Sequence, residues 1–137
     1  MGTPYAVPFP PVRVYAALLS VYAELKLPTD GSDSTRFLVD SGLFYRQGSV
    51  GGKQISSYLS CGEGMTGANA DSYRVYMTIW STVAPTETPE QVTMKTVLLA
   101  GAVNVSEGSR QPMPCETTGR LEVRIQQLVL HRLALGQ

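Results

Sequence analysis

The chain has 137 residues, of which 43% are hydrophobic and 16% are charged. This length is enough for one domain with a sizeable core, and we predict a single domain over residues 1–137. Eleven basic side chains balance eleven acidic ones. Zero net charge argues against a protein specialised for nucleic acid, because phosphate neutralisation supplies most of that affinity. The longest apolar run, residues 97–103, is far shorter than the roughly 20 residues of a transmembrane helix.

Prolines shape the start of the chain. Four of the first eleven residues are proline, so residues 1–11 are predicted to form an extended arm without a β-ladder of its own. Pro11 suits the first turn of a helix. Apolar side chains then recur every third or fourth position, which predicts an amphipathic helix over residues 12–26. The residues expected to face the core are Val14, Ala17, Leu18, Val21 and Leu25.

Alternating apolar and polar side chains predict three strands. The first covers about residues 36–46, with Gly42 as a candidate bulge. The strongest covers residues 71–84, and residues 91–105 are predicted to be its antiparallel partner. Residues 53–60 are predicted to form a short helix, residues 106–118 a loop and residues 119–134 a final helix.

The order is therefore α-β-α-β-β-α. It predicts an α+β fold in which an antiparallel sheet of three or more strands carries helices on one face.

Two cysteines, Cys61 and Cys115, lie beside the turn residues Gly62 and Pro114. An even number of cysteines in a short chain favours one disulfide. In the chain-entropy model, such a disulfide would raise the free energy of unfolding by about 4 kcal/mol. The alternative is a pair of buried thiols in a cytosolic protein. No metal site is predicted, because the chain has neither a CxxC pair nor a second histidine.

The segments around the cysteines carry a pattern. YLSCG at residues 58–62 and CETTGRLE at residues 115–122 give Y-L-x-C-G … C-x-x-T-G-x-L-E. This resembles a pattern in uncharacterised bacterial exported domains of periplasmic or lipoprotein type, and it would cover about residues 12–130. The resemblance implies export and a paired cysteine, and it implies no activity. We therefore expect a secreted or periplasmic protein whose signal segment has been removed.

The outer face of the predicted sheet is the candidate binding surface. If the alternation holds throughout, aromatic and cationic side chains project from it: Arg36, Phe44, Arg46, Arg74, Tyr76, Trp80 and Lys95. Such residues are enriched at protein hot spots. They also suit sugars, anionic ligands and single-stranded nucleic acid. The alternative is that the final helix or a subunit partner covers this face.

Motifs for catalysis or cofactors are weak. The glycine-rich stretch at residues 48–53 lacks the spacing of a Walker loop, so a plain turn is predicted. His131, the only histidine, lies near the end of the final helix, where the helix dipole favours a cation. No nucleophile and carboxylate are recognisable as its partners. We assign no catalytic residue and predict no cofactor.

The leading hypothesis is a non-enzymatic exported domain that binds a partner protein, or a copy of itself, through the outer sheet face. The first alternative is a small enzyme or ligand carrier with a cleft between sheet and helix. The second alternative is single-stranded nucleic-acid binding.

Overall fold

A computed structural model describes residues 2–65, 67–108 and 111–136. The helices are α1 (Pro11–Glu24), α2 (Asn69–Ser72) and α3 (Arg120–Ala134). The strands are β1 (Tyr5–Val7), β2 (Leu38–Asp40), β3 (Phe44–Gln47), β4 (Ser49–Val50), β5 (Lys53–Gln54), β6 (Leu59–Ser60), β7 (Glu63–Gly64), β8 (Gly67–Ala68), β9 (Arg74–Pro85), β10 (Val92–Val103) and β11 (Met113–Thr117). Single 3₁₀ turns cover Ser34–Arg36, Ile55–Ser57 and Val105–Glu107.

One antiparallel sheet of seven strands organises the fold, which confirms the α+β class. The long strands β9 and β10 form its centre and pair along their full length. On the free side of β9, β2 and β3 follow each other in line. On the free side of β10, β1 and β11 also follow each other in line. Strand β6 pairs with the edge of β11 that faces away from β10. Two short hairpins, β4–β5 and β7–β8, lie outside this sheet.

Helices α1 and α3 pack on one face of the sheet, as predicted. Every second residue of β9 from Val75 to Val83 is buried, and these side chains form the inner face. The five predicted core positions of α1 are all buried. Burying each large aliphatic side chain contributes about 1.5–3 kcal/mol. The apolar residues on the inner face of β9 therefore determine which side of the sheet the helices cover.

A chain of hydroxyl groups crosses this apolar core. The Tyr22 hydroxyl lies 2.9 Å from Ser81 Oγ, which lies 2.7 Å from Thr96 Oγ1, and all three residues are buried. Each hydroxyl satisfies its neighbour where water has no access, so losing one would leave an unpaired buried polar group. Burial raises the pKa of Tyr22 well above its usual value, because the phenolate is poorly solvated there.

Residues 53–60 do not form the predicted helix. They form β5, one 3₁₀ turn and β6, and the apolar side chains of this segment, Ile55, Tyr58 and Leu59, are buried. The Asp71 carboxylate accepts a hydrogen bond from the Ser56 amide and stabilises this turn. A spacing of three and four residues over one short segment suits an apolar turn as well as a helix, so periodicity alone did not separate the two.

Besides the two-residue strands β4 to β8, the strands β1 and β11 lie where none was predicted. β1 lies within the proline-rich arm and pairs with β10 at Val92–Met94, because Tyr5, Ala6 and Val7 form a short run without proline. β11 lies in the predicted loop at residues 106–118 and pairs with Ala100–Ala102 of β10. Both strands are short and have little alternation of their own, so β10 determines their pairing.

The predicted disulfide between Cys61 and Cys115 is confirmed. It joins the segment after β6 to the middle of β11, and these two strands also pair beside it. Among the described residues, no helix has the length and apolar content needed to cross a membrane.

Candidate functional site: the outer face of the sheet

The outer face, which the helices leave uncovered, carries the alternate residues of the central strands. In β9 these are Arg74, Tyr76, Thr78, Trp80 and Thr82, all of them partly buried. The register places Trp80 opposite Val97, Thr78 opposite Leu99 and Thr82 opposite Lys95. Because directly paired residues share a face, Val97, Leu99 and Lys95 also belong to the outer face. Four of the seven predicted site residues therefore lie there together: Arg74, Tyr76, Trp80 and Lys95.

Phe44 and Arg46 do not share this face, which corrects the predicted alternation. Asp40 pairs with Trp80 and Phe44 pairs with Met77, so four steps along the chain match three along β9. The extra residue is a bulge at Gly42, whose φ is 67°. A shift of one residue moves every later side chain to the opposite face.

The two displaced side chains have structural contacts instead. The Arg46 guanidinium lies 4.7 Å above the Phe44 ring and donates to the carbonyl of Lys26, 2.9 Å away, just past the end of α1. Arg36 is exposed in the 3₁₀ turn before β2 and also lies outside the outer face.

The bulge places Tyr45 on the outer face, in contact with two predicted site residues. The Tyr45 and Tyr76 rings have centroids 5.7 Å apart. The Arg74 guanidinium lies 4.9 Å from the centre of the Tyr45 ring. A hydrogen bond with Tyr76 raises the pKa of Arg74 further, so this side chain stays cationic. Two rigid aromatic rings and one cation therefore form a preorganised corner of the face.

An open apolar concavity of about 490 Å³ lies beside this corner. Its walls come from β9, β10 and the flanking segments: Leu43, Tyr76, Met77, Thr78, Leu99, Ala100, Gly101, Pro112 and Pro114. Leu43 is 76% exposed and Leu99 is 42% exposed, both high for leucine. Gly101 allows Pro112 to pack closely at the edge of the concavity, because a Cβ at position 101 would lie 3.0 Å from the Pro112 ring. An exposed apolar surface of this kind is typical of an interaction site.

Four charged residues of alternating sign surround the apolar centre of the outer face. Arg74 lies at one end of the β9–β10 ladder, and Lys95 lies opposite Thr82, three residue pairs before the other end. Asp40 lies in β2 at one edge, and Glu116 follows Cys115 in β11 at the other. Cys115 pairs with Ala100, and Ala100 pairs with the inner-face residue Met77, so Cys115 also lies on the inner face. Because side chains alternate along a strand, the side chain of Glu116 lies on the outer face. We call these four residues the charge rim.

A second cavity, of about 340 Å³, lies between the sheet and the start of α3. Hydroxyl-bearing residues dominate its lining, with one carboxylate: Thr3, Tyr5, Thr96, Thr117, Thr118 and Glu122. Glu122 Oε2 accepts a hydrogen bond of 2.7 Å from the Thr117 hydroxyl, and its Oε1 is buried without a partner. This is the cleft between sheet and helix that the enzyme or carrier hypothesis requires. Tyr76 and Trp80 do not line it, because both lie on the outer face.

The other sequence candidates have structural surroundings. The glycine-rich stretch forms the β4–β5 hairpin, and the Gly51 carbonyl accepts a hydrogen bond of 2.7 Å from Arg124 of α3. His131 is exposed in the last turn of α3. Among the described residues, no group of three histidine, cysteine, aspartate or glutamate side chains converges to hold a metal ion.

Sequence reasoning missed several residues of the outer face, chiefly Leu43, Tyr45, Leu99 and Pro114. The predicted alternation assigned Leu43 and Tyr45 to the inner face. A bulge at Gly42 inserts one extra residue, so taking it into account would have moved Tyr45 to the outer face. Pro114 lies in a strand that its own sequence does not reveal. Leu99 lies in a stretch of β10 that is apolar on both faces, where alternation carries no information.

Comparison with known proteins adds no relative: no protein-family model, no curated protein and no solved structure matches this chain.

Proposed function

We propose that this chain is an exported, non-enzymatic binding domain whose outer sheet face docks onto a protein surface. The observation that carries the proposal is the apolar concavity beside the Arg74–Tyr45–Tyr76 corner. Interface centres are enriched in tyrosine, tryptophan and arginine, and they combine an apolar middle with a charged periphery. The outer face has this composition, whereas the helical side of the sheet is already buried.

Export is supported by the disulfide and by the resemblance of the cysteine segments to exported domains. Disulfides persist in oxidising compartments and are rare where glutathione keeps thiols reduced. The proposed setting is therefore the periplasm or the extracellular space.

The single tryptophan provides a direct assay, because Trp80 lies on the proposed docking face. We expect its fluorescence to become less accessible to acrylamide when the face is occupied, either by a second copy at high concentration or by an isolated partner. The matched variants are Leu99→Gln, on the face, and Leu135→Gln, which is 63% exposed just past α3. Leu99→Gln should weaken complex formation about tenfold or more, and Leu135→Gln should not change it.

Complexes that form equally well with Leu99→Gln and with wild-type protein would refute the proposal. A salt-dependent complex with single-stranded DNA that Leu99→Gln leaves unchanged would favour the nucleic-acid alternative instead.

A further inference from the structure

We infer that the partner of the outer face is a second copy of this chain, docked face to face with its strands crossed by about a quarter turn. This inference rests on the proposed function, because it names the occupant of the same face. It derives from the arrangement of the charge rim, Arg74, Lys95, Asp40 and Glu116, around an apolar centre.

The charges form a pattern with cations at two ends and carboxylates at two edges. Arg74 and Lys95 are eight residue levels apart along β9, or about 26 Å at 3.3 Å per residue. Asp40 and Glu116 are separated by three strand spacings, or about 14 Å. Going around the face, the signs alternate: Arg74, Glu116, Lys95, Asp40.

Two copies with aligned strands would place like charges together. A two-fold axis across the strands brings Arg74 of one copy over the Lys95 end of the other, and an axis along the strands brings Asp40 over the Glu116 edge. Each of these pairings is repulsive, and like charges facing each other at an interface reduce affinity strongly.

A quarter turn removes both conflicts, because it places the cationic ends of each copy over the carboxylate edges of the other. The ends lie about 13 Å from the centre, Glu116 about 7 Å, and Asp40, two residue levels nearer the Lys95 end, about 10 Å; the long arginine and lysine side chains can span such differences. Crossing near 90° is one of the two common ways in which sheets pack. Both copies have zero net charge, so no overall repulsion opposes their approach.

The expected dimer is weak. Four strands span about 19 Å, so crossed faces overlap over about 360 Å² per copy, well below the roughly 800 Å² of a standard interface. Association should therefore depend on concentration, and light scattering should cover about 1 μM to 1 mM, the range of transient complexes. Raising the salt concentration should weaken the dimer, because salt screens the attraction between the opposite charges of the two rims.

Exchanging the charges tests whether the two rims face each other across the dimer. Arg74→Glu with Lys95→Glu makes the rim acidic, and Asp40→Asn with Glu116→Lys makes it basic. Asparagine at position 40 retains an oxygen that can accept the hydrogen bond from the Gly42 amide. Each double variant should self-associate at least tenfold more weakly than wild type, and an equimolar mixture should form a 1:1 dimer. Circular dichroism and intact disulfides verify that both variants fold.

Three outcomes separate failure of this inference from failure of the proposed function. If wild-type protein stays monomeric at 1 mM, the partner is not a second copy and this inference is refuted. A complex with another protein that Leu99→Gln weakens would still support the proposed function. A dimer sensitive to Leu99→Gln whose two charge variants do not associate on mixing overturns the crossed geometry alone. A dimer insensitive to both Leu99→Gln and the charge exchanges overturns both proposals.

Discussion

The two faces of the sheet use the same strands for different purposes. On the inner face, Val75, Met77 and Ile79 are buried beneath α1 and α3. On the outer face, Tyr76, Thr78 and Trp80 alternate with them and are only partly buried. Side chains one residue apart thus differ in their surroundings: the inner ones stabilise the fold, and the outer ones form the proposed docking face. Substitutions at neighbouring positions should separate the two roles.

The largest expected effect on stability comes from the disulfide, which anchors the inner-face side of β11. Cys61→Ser with Cys115→Ser frees a loop with a sequence separation of 54 residues. We expect a loss of about 4 kcal/mol from the free energy of unfolding, because the open unfolded chain has more conformational entropy. Urea denaturation measures it, and dithiothreitol should destabilise the wild type by a similar amount without affecting the variant. A loss below about 1 kcal/mol would contradict the chain-entropy account of this bond.

The direct comparison of the faces uses Ile79→Ala and Thr78→Ala, one residue apart in β9. Ile79 is fully buried, so its truncation should cost about 3 kcal/mol through lost burial and a residual cavity. Thr78 is only partly buried on the outer face, and its truncation should cost less than about 1 kcal/mol. Both values come from chemical denaturation under identical conditions. Equal losses would show that the outer face also belongs to the packed core.

A smaller effect tests the hydroxyl chain of the inner face. Tyr22→Phe removes the contact with Ser81 and should cost about 1 kcal/mol at neutral pH. The pKa of Tyr22 is raised in the folded state, so the unfolded chain loses this proton first as the pH rises. The contribution of this pKa shift to the free energy of unfolding is therefore fully present below the ordinary tyrosine pKa of about 10, and it is lost as the pH rises above that value.

The variant isolates this contribution, because phenylalanine has no proton to lose. Between pH 9 and about 11.5, the stability of Tyr22→Phe should fall less steeply than that of wild type, as measured by urea denaturation at each pH. Parallel curves would assign the alkaline loss to other groups.

Sequence reasoning predicted the inner face better than the outer one, for a physical reason. Burial selects a strict period, and for that reason α1, α3, β9 and the main part of β10 were found with small errors at their ends. The outer face is not buried by the helices, so burial does not impose a regular apolar alternation on its residues. Its composition depends on a bulge at Gly42, which changes the face of Tyr45, and on β11, whose pairing is determined by β10. Four predicted outer residues were placed correctly, and Phe44, Arg46 and Arg36 were not.

The smallest expected change in stability belongs to Leu43, the more exposed of the two leucines that line the concavity. Leu43 is 76% exposed and lies in the bulged segment between β2 and β3. Leu43→Ser should change the free energy of unfolding by no more than about 0.5 kcal/mol, because a surface side chain loses little packing. It should nonetheless reduce the protection of Trp80 from acrylamide in the complex, since the concavity loses an apolar wall. A loss of stability above about 1 kcal/mol would show that Leu43 is needed for folding, which would remove the contrast between the two faces at this position.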